Sequence, residues 1–227
     1  MSFDDQIISR VPLFAGLSED QYAQLAAKTG STALRRGEVL FEEGDPGDRL
    51  YIITEGKIKL GHTSIDGRES LLAILGPGEI IGELTLFDPG PRSTTATAVS
   101  PVSMLSLEHD SLMEILDVNP DLAKHMLRAL AQRLRRTNES LSDLVFSDVP
   151  GRVAKALLDL SDRFGTSTDS GVHVPHDLTQ EELAQLVGAS RETVNKSLAD
   201  FVSRGWIRLE GRAVTLLDVD RLARRAR

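Results

Sequence analysis

Between Ile81 and Thr95 the chain reads IGELTLFDPGPRSTT. The run holds a glycine–acid pair, Gly82 and Glu83, a loop-forming Asp88–Pro91 segment, and then Arg92, Ser93, Thr94 and Thr95. A carboxylate, a guanidinium and hydroxyls gathered by a tight loop suit a small anion that carries a sugar. Arg92 and Ser93 can bind a phosphate with help from backbone N–H groups of the loop. Glu83 can accept from a ribose hydroxyl. The run is not a Walker motif, since no G-x-x-x-x-G-K-[ST] occurs, and it supplies no pair of catalytic carboxylates. The same residues also fit an ordinary surface hairpin in which Glu83 and Arg92 form an ion pair.

A second chemical grouping lies in DLTQEELAQLVGASRETVNKSLADFVSRGWIRLEGRAVTLL, from Asp177 to Leu217. Thr179 with Glu182 makes a capping box. The spacing predicts a first helix to about Val187, a turn at Gly188, and a second helix capped by Ser190, running to about Arg204 and closed by Gly205. Two short helices across a glycine turn form a helix-turn-helix. Val194, Leu198, Phe201 and Val202 should be buried. Arg191, Glu192, Asn195 and Lys196 fall on the other side, on the N-terminal turns where base edges are read. Arginine suits guanine and glutamate suits the cytosine amino group. Thr179, Ser190 and Thr193 complete the candidate DNA contacts on the two helices. WIRLEGRAVTLL is then a β-hairpin, a wing turning at Glu210–Arg212, with Arg208 and Arg212 available to phosphates. The plain alternative for the charged face is solvation alone.

The elements that must position these groups follow from texture. Residues 3–28 look helical, with Ser18 and Gln21 as a cap pattern. From Ala33 to Leu107 short alternating runs are cut by glycines, as in RLYIITEGKIKLGH and in SIDGRESLLAIL with its Asp66–Gly67 hairpin signal. This predicts a sandwich or small barrel, and no helix-length period occurs between Leu34 and Leu107. A short helix is expected over 109–116 and a longer one from Pro120. In the latter, Ala123, Leu127, Leu130, Leu134, Thr137, Leu141 and Leu144 follow a heptad seam, whose simplest partner is the same helix of a second subunit. Packing on its own domain is the alternative. Thr137 interrupts the seam, with Asn138 beside it, and a polar break needs a reason such as register or a ligand. SDVPGR (147–152) reads as a proline-glycine break and hinge. Val153, Ala156, Leu157, Leu160 and Phe164 then mark a helix, followed by a loop from Gly165 to Gly171.

The 227 residues allow one large domain or two modest ones, and 41% apolar content is enough for real cores. Absence of cysteine removes disulfides, iron–sulfur clusters and zinc ribbons. The net charge of -8 is uneven. Residues 1–116 hold 9 basic and 18 acidic groups, 117–148 hold 5 and 5, and 149–227 hold 12 and 11. The general objection of an acidic chain to nucleic acid therefore does not extend to the C-terminal third. No run of about 18 apolar residues occurs and the N-terminus does not read as a secretory signal, so the expectation is a soluble, cytoplasmic protein. No nucleophile–base pair is visible. His62, His109 and His125 are scattered, and His173 and His176 lack a nearby acid at ligand spacing. The expectation is a protein that is not an enzyme.

GELTLFDPGPRST resembles the phosphate-binding cassette of cyclic-nucleotide-binding domains. EELAQLVGASRETVNKSL resembles the helix-turn-helix of the Crp/Fnr family, and FEEGDPGDRLYIITEGKIKL resembles that family's β-roll entrance. The likeness covers nearly the whole chain, in the family's order, and is greatest to cyclic AMP receptor proteins of actinobacterial type. It implies an α+β fold: a cyclic-nucleotide-binding β-roll, or jelly-roll, over residues 1–116, a dimerisation helix over 117–147, and a winged helix-turn-helix over 148–227. It implies cyclic AMP as allosteric effector, with no metal. Gly82 and Glu83 match the pair that takes phosphate by backbone N–H and the ribose 2′-hydroxyl by carboxylate, with Leu84 beside them. Arg92 matches the phosphate arginine and Ser93 the neighbouring hydroxyl. Arg133 matches a helix arginine near the phosphate, and Thr137 and Asn138 the pair contacting adenine, one from each subunit. Asparagine stands where relatives often have serine, which bears on purine selectivity.

On the same resemblance Leu127, Leu130, Leu134, Leu141 and Leu144 form the seam of a homodimer. Arg191 and Glu192 match base readers. Lys196 stands where many relatives have arginine and cannot make the same bidentate fork, which leaves a phosphate contact open to it. The implied partners are double-stranded DNA with a TGTGA-like palindrome and RNA polymerase, with no membrane. A regulator of the same fold with another effector, or with constitutive DNA binding, is the alternative. Relatives with other triggers tend to lose the Glu83, Arg92 and Ser93 set.

Overall fold

The computed structural model describes residues 18–64, 66–67 and 69–226. The expected N-terminal helix is described as α1 (Glu19–Lys28); its part over 3–17 and the side chain of Gln21 lie outside the described residues. The chain divides into two compact units, 18–62 with 73–135 and 63–72 with 136–226.

From Thr29 to Val118 the chain runs through β1 (Thr29–Leu34), β2 (Val39–Phe41), β3 (Arg49–Glu55), β4 (Ile58–Thr63), β5 (Glu69–Leu75), β6 (Ile80–Ile81) and α2 (Leu84–Phe87), then β7 (Thr95–Ala98), β8 (Val102–Glu108) and α3 (His109–Val118), all in the first unit apart from residues 63–72. It then enters α4 (Pro120–Phe146). Two four-stranded sheets form, in the orders β1–β8–β3–β6 and β2–β7–β4–β5. Pairing is antiparallel, with Leu50 opposite Leu107 and Ile52 opposite Leu105. Side chains alternate faces along a strand, and β3 and β8 are apolar on both. Ile53, Val102 and Met104 pack with Ile58, Leu60, Leu75, Ala96 and Ala98. Leu50, Ile52, Leu105 and Leu107 pack instead with Leu25 of α1, Leu112 and Ile115 of α3, and Leu122 and Met126 of α4.

Among the described residues of this unit, one helix was not legible in the sequence. α2 lies where no helical period was expected, because four residues make a single turn and cannot show a period.

α4 carries two apolar faces. Leu122 and Met126 are buried against the sheet, and each such side chain contributes about 2 kcal/mol on burial. Leu127, Leu134 and Leu141 are 66%, 62% and 57% exposed, Leu144 is also exposed, and Leu130 is half-buried.

The second unit contains α4 from Arg136, then α5 (Val149–Phe164), β9 (Thr166–Thr168), β10 (Gly171–Val174), α6 (Gln180–Val187) and α7 (Arg191–Ser203). β11 (Ile207–Glu210), β12 (Ala213–Leu216) and α8 (Val219–Arg225) follow. Its sheet has the order β11–β12–β10–β9. Val153, Leu157, Leu160, Leu183, Val187, Val194, Leu198, Phe201, Val214 and Leu222 are buried.

Three expectations are corrected here. The proline-glycine pair of SDVPGR does not break a helix but begins one: Pro150 sits in the first turn of α5, where its missing N–H costs nothing, and Gly151 N donates to the Asp148 cap at 2.9 Å. The interruption is confined to Ser147 and Asp148. The segment Gly165–Gly171 is not all loop, since β9 pairs with β10; β9 is exposed throughout, so it has no apolar alternation to read. Val202 is 42% exposed, because it lies about 100° round the helix from Phe201, while Val194, Leu198 and Phe201 share the buried face with Ser197.

Candidate functional site

The first unit gathers the residues around Arg92. Gly82 follows the short β6 with φ of +83°, in the left-handed region. A Cβ there would stand 2.3 Å from Arg92 Nη1 and 3.1 Å from Arg49 O, so glycine is required by space as well as by conformation. Glu83 stands at the cap position just before α2, and its side chain is 1% exposed. Glu83 Oε1 accepts from Arg133 Nη1 of α4 at 2.8 Å. A buried carboxylate needs such a partner, since an unpaired one costs several kcal/mol. Leu84, the first residue of α2, is exposed.

The loop after α2 is tied to residues 44–46. Pro91 bridges Pro46, Arg92 N donates to Asp45 O at 2.8 Å, and Gly44 N donates to Arg92 O at 2.9 Å. This turns the Arg92 side chain inward, to 4% exposure. Nη1 donates to Gly82 O at 3.0 Å and to Thr85 Oγ1 at 3.2 Å, and Nη2 donates to Arg49 O at 2.8 Å. Nε is buried without a partner among the described residues. Burial pushes the guanidinium below its usual value, while the nearby Tyr51, Asp48 and Glu83 act the other way; arginine starts so high that it stays charged. Ser93 is exposed. The surface-hairpin alternative, with Glu83 and Arg92 as an ordinary ion pair, is not what forms. Both side chains are buried, and the hydrogen-bonded partner of Glu83 is Arg133.

Thr137 follows Arg133 by one turn of α4, and Thr137 and Asn138 are exposed on it.

In the second unit, local bonds build the helix pair. Thr179 Oγ1 accepts from Glu182 N at 3.1 Å and Thr179 N donates to Glu182 Oε2 at 2.8 Å, a complete capping box. Gly188 closes α6 in the left-handed conformation, with φ of 62°. Ser190 caps α7, its hydroxyl accepting from Thr193 N at 3.3 Å and lying 2.9 Å from Thr193 Oγ1. Arg191, Glu192 and Lys196 are exposed on the first turns of α7. Asn195 departs from the expected solvent face: it is half-buried, with Oδ1 enclosed and unpartnered. Arg212 is exposed at the turn of the β11–β12 hairpin, whereas Arg208 Nε donates to Glu210 Oε1 at 2.8 Å. That ion pair and the Thr215 hydroxyl hold the Glu210 carboxyl below its usual value.

Sequence reasoning missed Arg152. From α5 it donates to Ser147 O at 2.7 Å, Val187 O at 2.8 Å and Gly188 O at 3.2 Å, which fixes the turn between α6 and α7. Its partners are backbone carbonyls, which any residue supplies, so no motif marks it. His176 is buried and its Nδ1 accepts from Leu178 N, while His173 stands on β10. Among the described residues no group of three or more His, Cys, Asp or Glu side chains is placed to hold a metal ion. Among the same residues no helix is long and apolar enough to cross a membrane.

Two family models match the chain, a cyclic nucleotide-binding domain over residues 31–119 and a Crp-like helix-turn-helix domain over residues 151–225. The chain is 54% identical over 223 residues to a CRP-like cAMP-activated global transcriptional regulator of Mycobacterium tuberculosis, covering 98% of this chain and 100% of that protein. It is 35% identical to the cyclic AMP receptor protein of Thermus thermophilus, covering 87% of this chain and 88% of that protein. Among solved structures it is similar to the c-di-GMP responsive global regulator CLP of Xanthomonas campestris. That match has a TM-score of 0.72 and 27% identity, covering 88% of this chain and 99% of that one.

Proposed function

This chain belongs to the Crp/Fnr family of transcriptional regulators, and from that premise we propose that it is a homodimeric, cyclic AMP-responsive DNA-binding regulator and not an enzyme. The observation that carries the ligand is the pair of buried side chains Glu83 and Arg92 beside half-buried Gly82, a carboxylate and a guanidinium set within 10 residues by one loop and one helical turn. Arg92 and the Gly82 backbone take the cyclic phosphate, with Ser93 beside them. Glu83 takes the ribose 2′-hydroxyl, and Leu84 lies at the edge. Arg133 already bonds Glu83, so ligand contact at Glu83 is felt on α4. Thr137 and Asn138, on the next turn, contact the base.

The exposed leucines of α4 are the seam of the dimer. Each forgoes about 1 kcal/mol while half or more of it faces water, which a second copy of the helix recovers. Ligand and seam then share α4, and binding biases how two copies meet. The working division is a ligand domain over 1–116, a dimer helix over 117–147 and a DNA-binding domain over 148–227. In the last, Arg191, Glu192 and Lys196 approach base edges of a TGTGA-like palindrome. Thr179, Ser190, Thr193, Asn195 and Arg212 serve the backbone or fix the helix. RNA polymerase is the protein partner at promoters.

The test is titration calorimetry with cyclic AMP, cyclic GMP and cyclic di-GMP, followed by a gel shift on the palindrome with and without ligand. Selective cyclic AMP binding that strengthens the shift supports the reading. The similar Xanthomonas regulator is named for its response to c-di-GMP, so binding of that dinucleotide alone would replace cyclic AMP as the effector. Leu134→Asp should leave a monomer by light scattering; a stable dimer would move the seam elsewhere.

A further inference from the structure

Arg92 is a buried cation that no carboxylate among the described residues bonds. The acids near it are taken by other arginines: Glu83 by Arg133 at 2.8 Å, and Asp48 by Arg49 at 2.8 Å. What holds Arg92 is neutral. Two backbone carbonyls and the Thr85 hydroxyl accept from its two Nη atoms. The Phe41 ring lies against the guanidinium, with Cζ 4.4 Å from the ring centroid. Tyr51 backs that ring at 6.4 Å between centroids. Thr85 is itself fixed, donating to Gly82 O at 3.2 Å, and it fits only because residue 47 is glycine: a Cβ there would lie 2.3 Å from Thr85 Oγ1.

The chemistry of this arrangement differs from that of an ion pair. A carboxylate would fix the guanidinium but cancel its field, and an incoming anion would have to compete with it. An aromatic face attracts a desolvated cation through its quadrupole and carries no net charge. The charge of Arg92 is therefore stabilised without being neutralised.

We propose that Phe41, together with Thr85, is a positioning residue for Arg92, holding the guanidinium in place while leaving its charge available to an anionic ligand. The inference rests on the cyclic-nucleotide reading above. Neither residue was given a role from the sequence, although Thr85 lies within GELTLFDPGPRST and Phe41 opens FEEGDPGDRLYIITEGKIKL some 50 residues before Arg92.

The experiment measures cyclic AMP affinity of the full chain by calorimetry for the native protein, Phe41→Leu and Phe41→Tyr, and for Phe41→Leu in an Arg92→Lys background, with thermal melts as a control of folding. Phe41→Leu is expected to weaken binding about tenfold and Phe41→Tyr, which keeps the ring, to restore it to within about twofold. In the Arg92→Lys background the effect of Phe41→Leu should largely vanish, since the planar cation it supports is gone. Native affinity in Phe41→Leu, an equal loss in both backgrounds, or failure of tyrosine to rescue would each overturn the proposal. Should Phe41→Leu not fold, Thr85→Val decides with Phe41→Tyr. It removes one acceptor from Nη1 at nearly constant shape and should cost about fivefold; unchanged binding there refutes the positioning role. A native chain that does not bind cyclic AMP at all overturns the functional reading first, and this inference with it, before any variant is compared.

Discussion

Arg92 is 4% exposed and is gripped by oxygens of Arg49, Gly82 and Thr85, whereas Arg191, Glu192 and Lys196 stand in water on a helix whose fixing bonds are local. One region hides its charge and orients it with distant segments of chain. The other displays its charge on a helix begun by a cap three residues away, with Arg152 holding the turn before it. The difference matches what each would bind on the proposed reading. A small cyclic phosphate must be enclosed and desolvated, so its cation is preorganised inside the protein. A duplex is too large to enclose, so its readers must protrude, and the protein fixes only the helix that carries them.

The comparison is sharpened by variants that strike one region and spare the other. The largest effect is expected from Arg92→Ala, which should lose about 3 kcal/mol of cyclic AMP affinity while the dimer persists by light scattering; unchanged affinity would remove Arg92 from the pocket. Gly82→Ala comes next. Its left-handed backbone and the 2.3 Å approach of Arg92 Nη1 should lower stability by about 2 kcal/mol and displace the guanidinium. A normal melt with normal ligand binding would show that the backbone relaxes there freely. Glu192→Ala should leave the melt and the ligand affinity alone and relax preference at one base pair, by about 2 kcal/mol. Binding across a randomised half-site checks this, and an unaltered preference removes Glu192 from base readout. Smallest is Thr179→Ala, which deletes the cap of α6 and should cost about 1 kcal/mol in a denaturant melt. A loss of several kcal/mol would mean that the helix pair depends on that cap far more than its local bonding suggests.

The two regions also differed in how readily they were read. Thr179, Glu182, Gly188 and Ser190 declare the helix pair because capping and left-handed turns are decided within four residues, and the structure shows those bonds. The buried face of α7 was legible by period, apart from Val202, which lies just off it. Around Arg92, motif spacing pointed to the residue types but not to their contacts. It left open an ion pair between Glu83 and Arg92, and the structure instead joins Glu83 to Arg133, 50 residues away.

Local chemistry written in neighbouring residues was thus determined by the sequence alone: alternating strands with glycine turns, the start of α4 at Pro120, the heptad spacing of its leucines, the capped helix pair and its wing. Tertiary structure decided what depends on segments far apart in the chain. It turned Arg92 inward against Phe41, engaged Glu83 with α4, and gave Arg152 three carbonyls to hold. The physical reason is that caps, turns and periodicity are short-range preferences, while a buried polar group takes whichever partner the packed chain brings within about 3 Å.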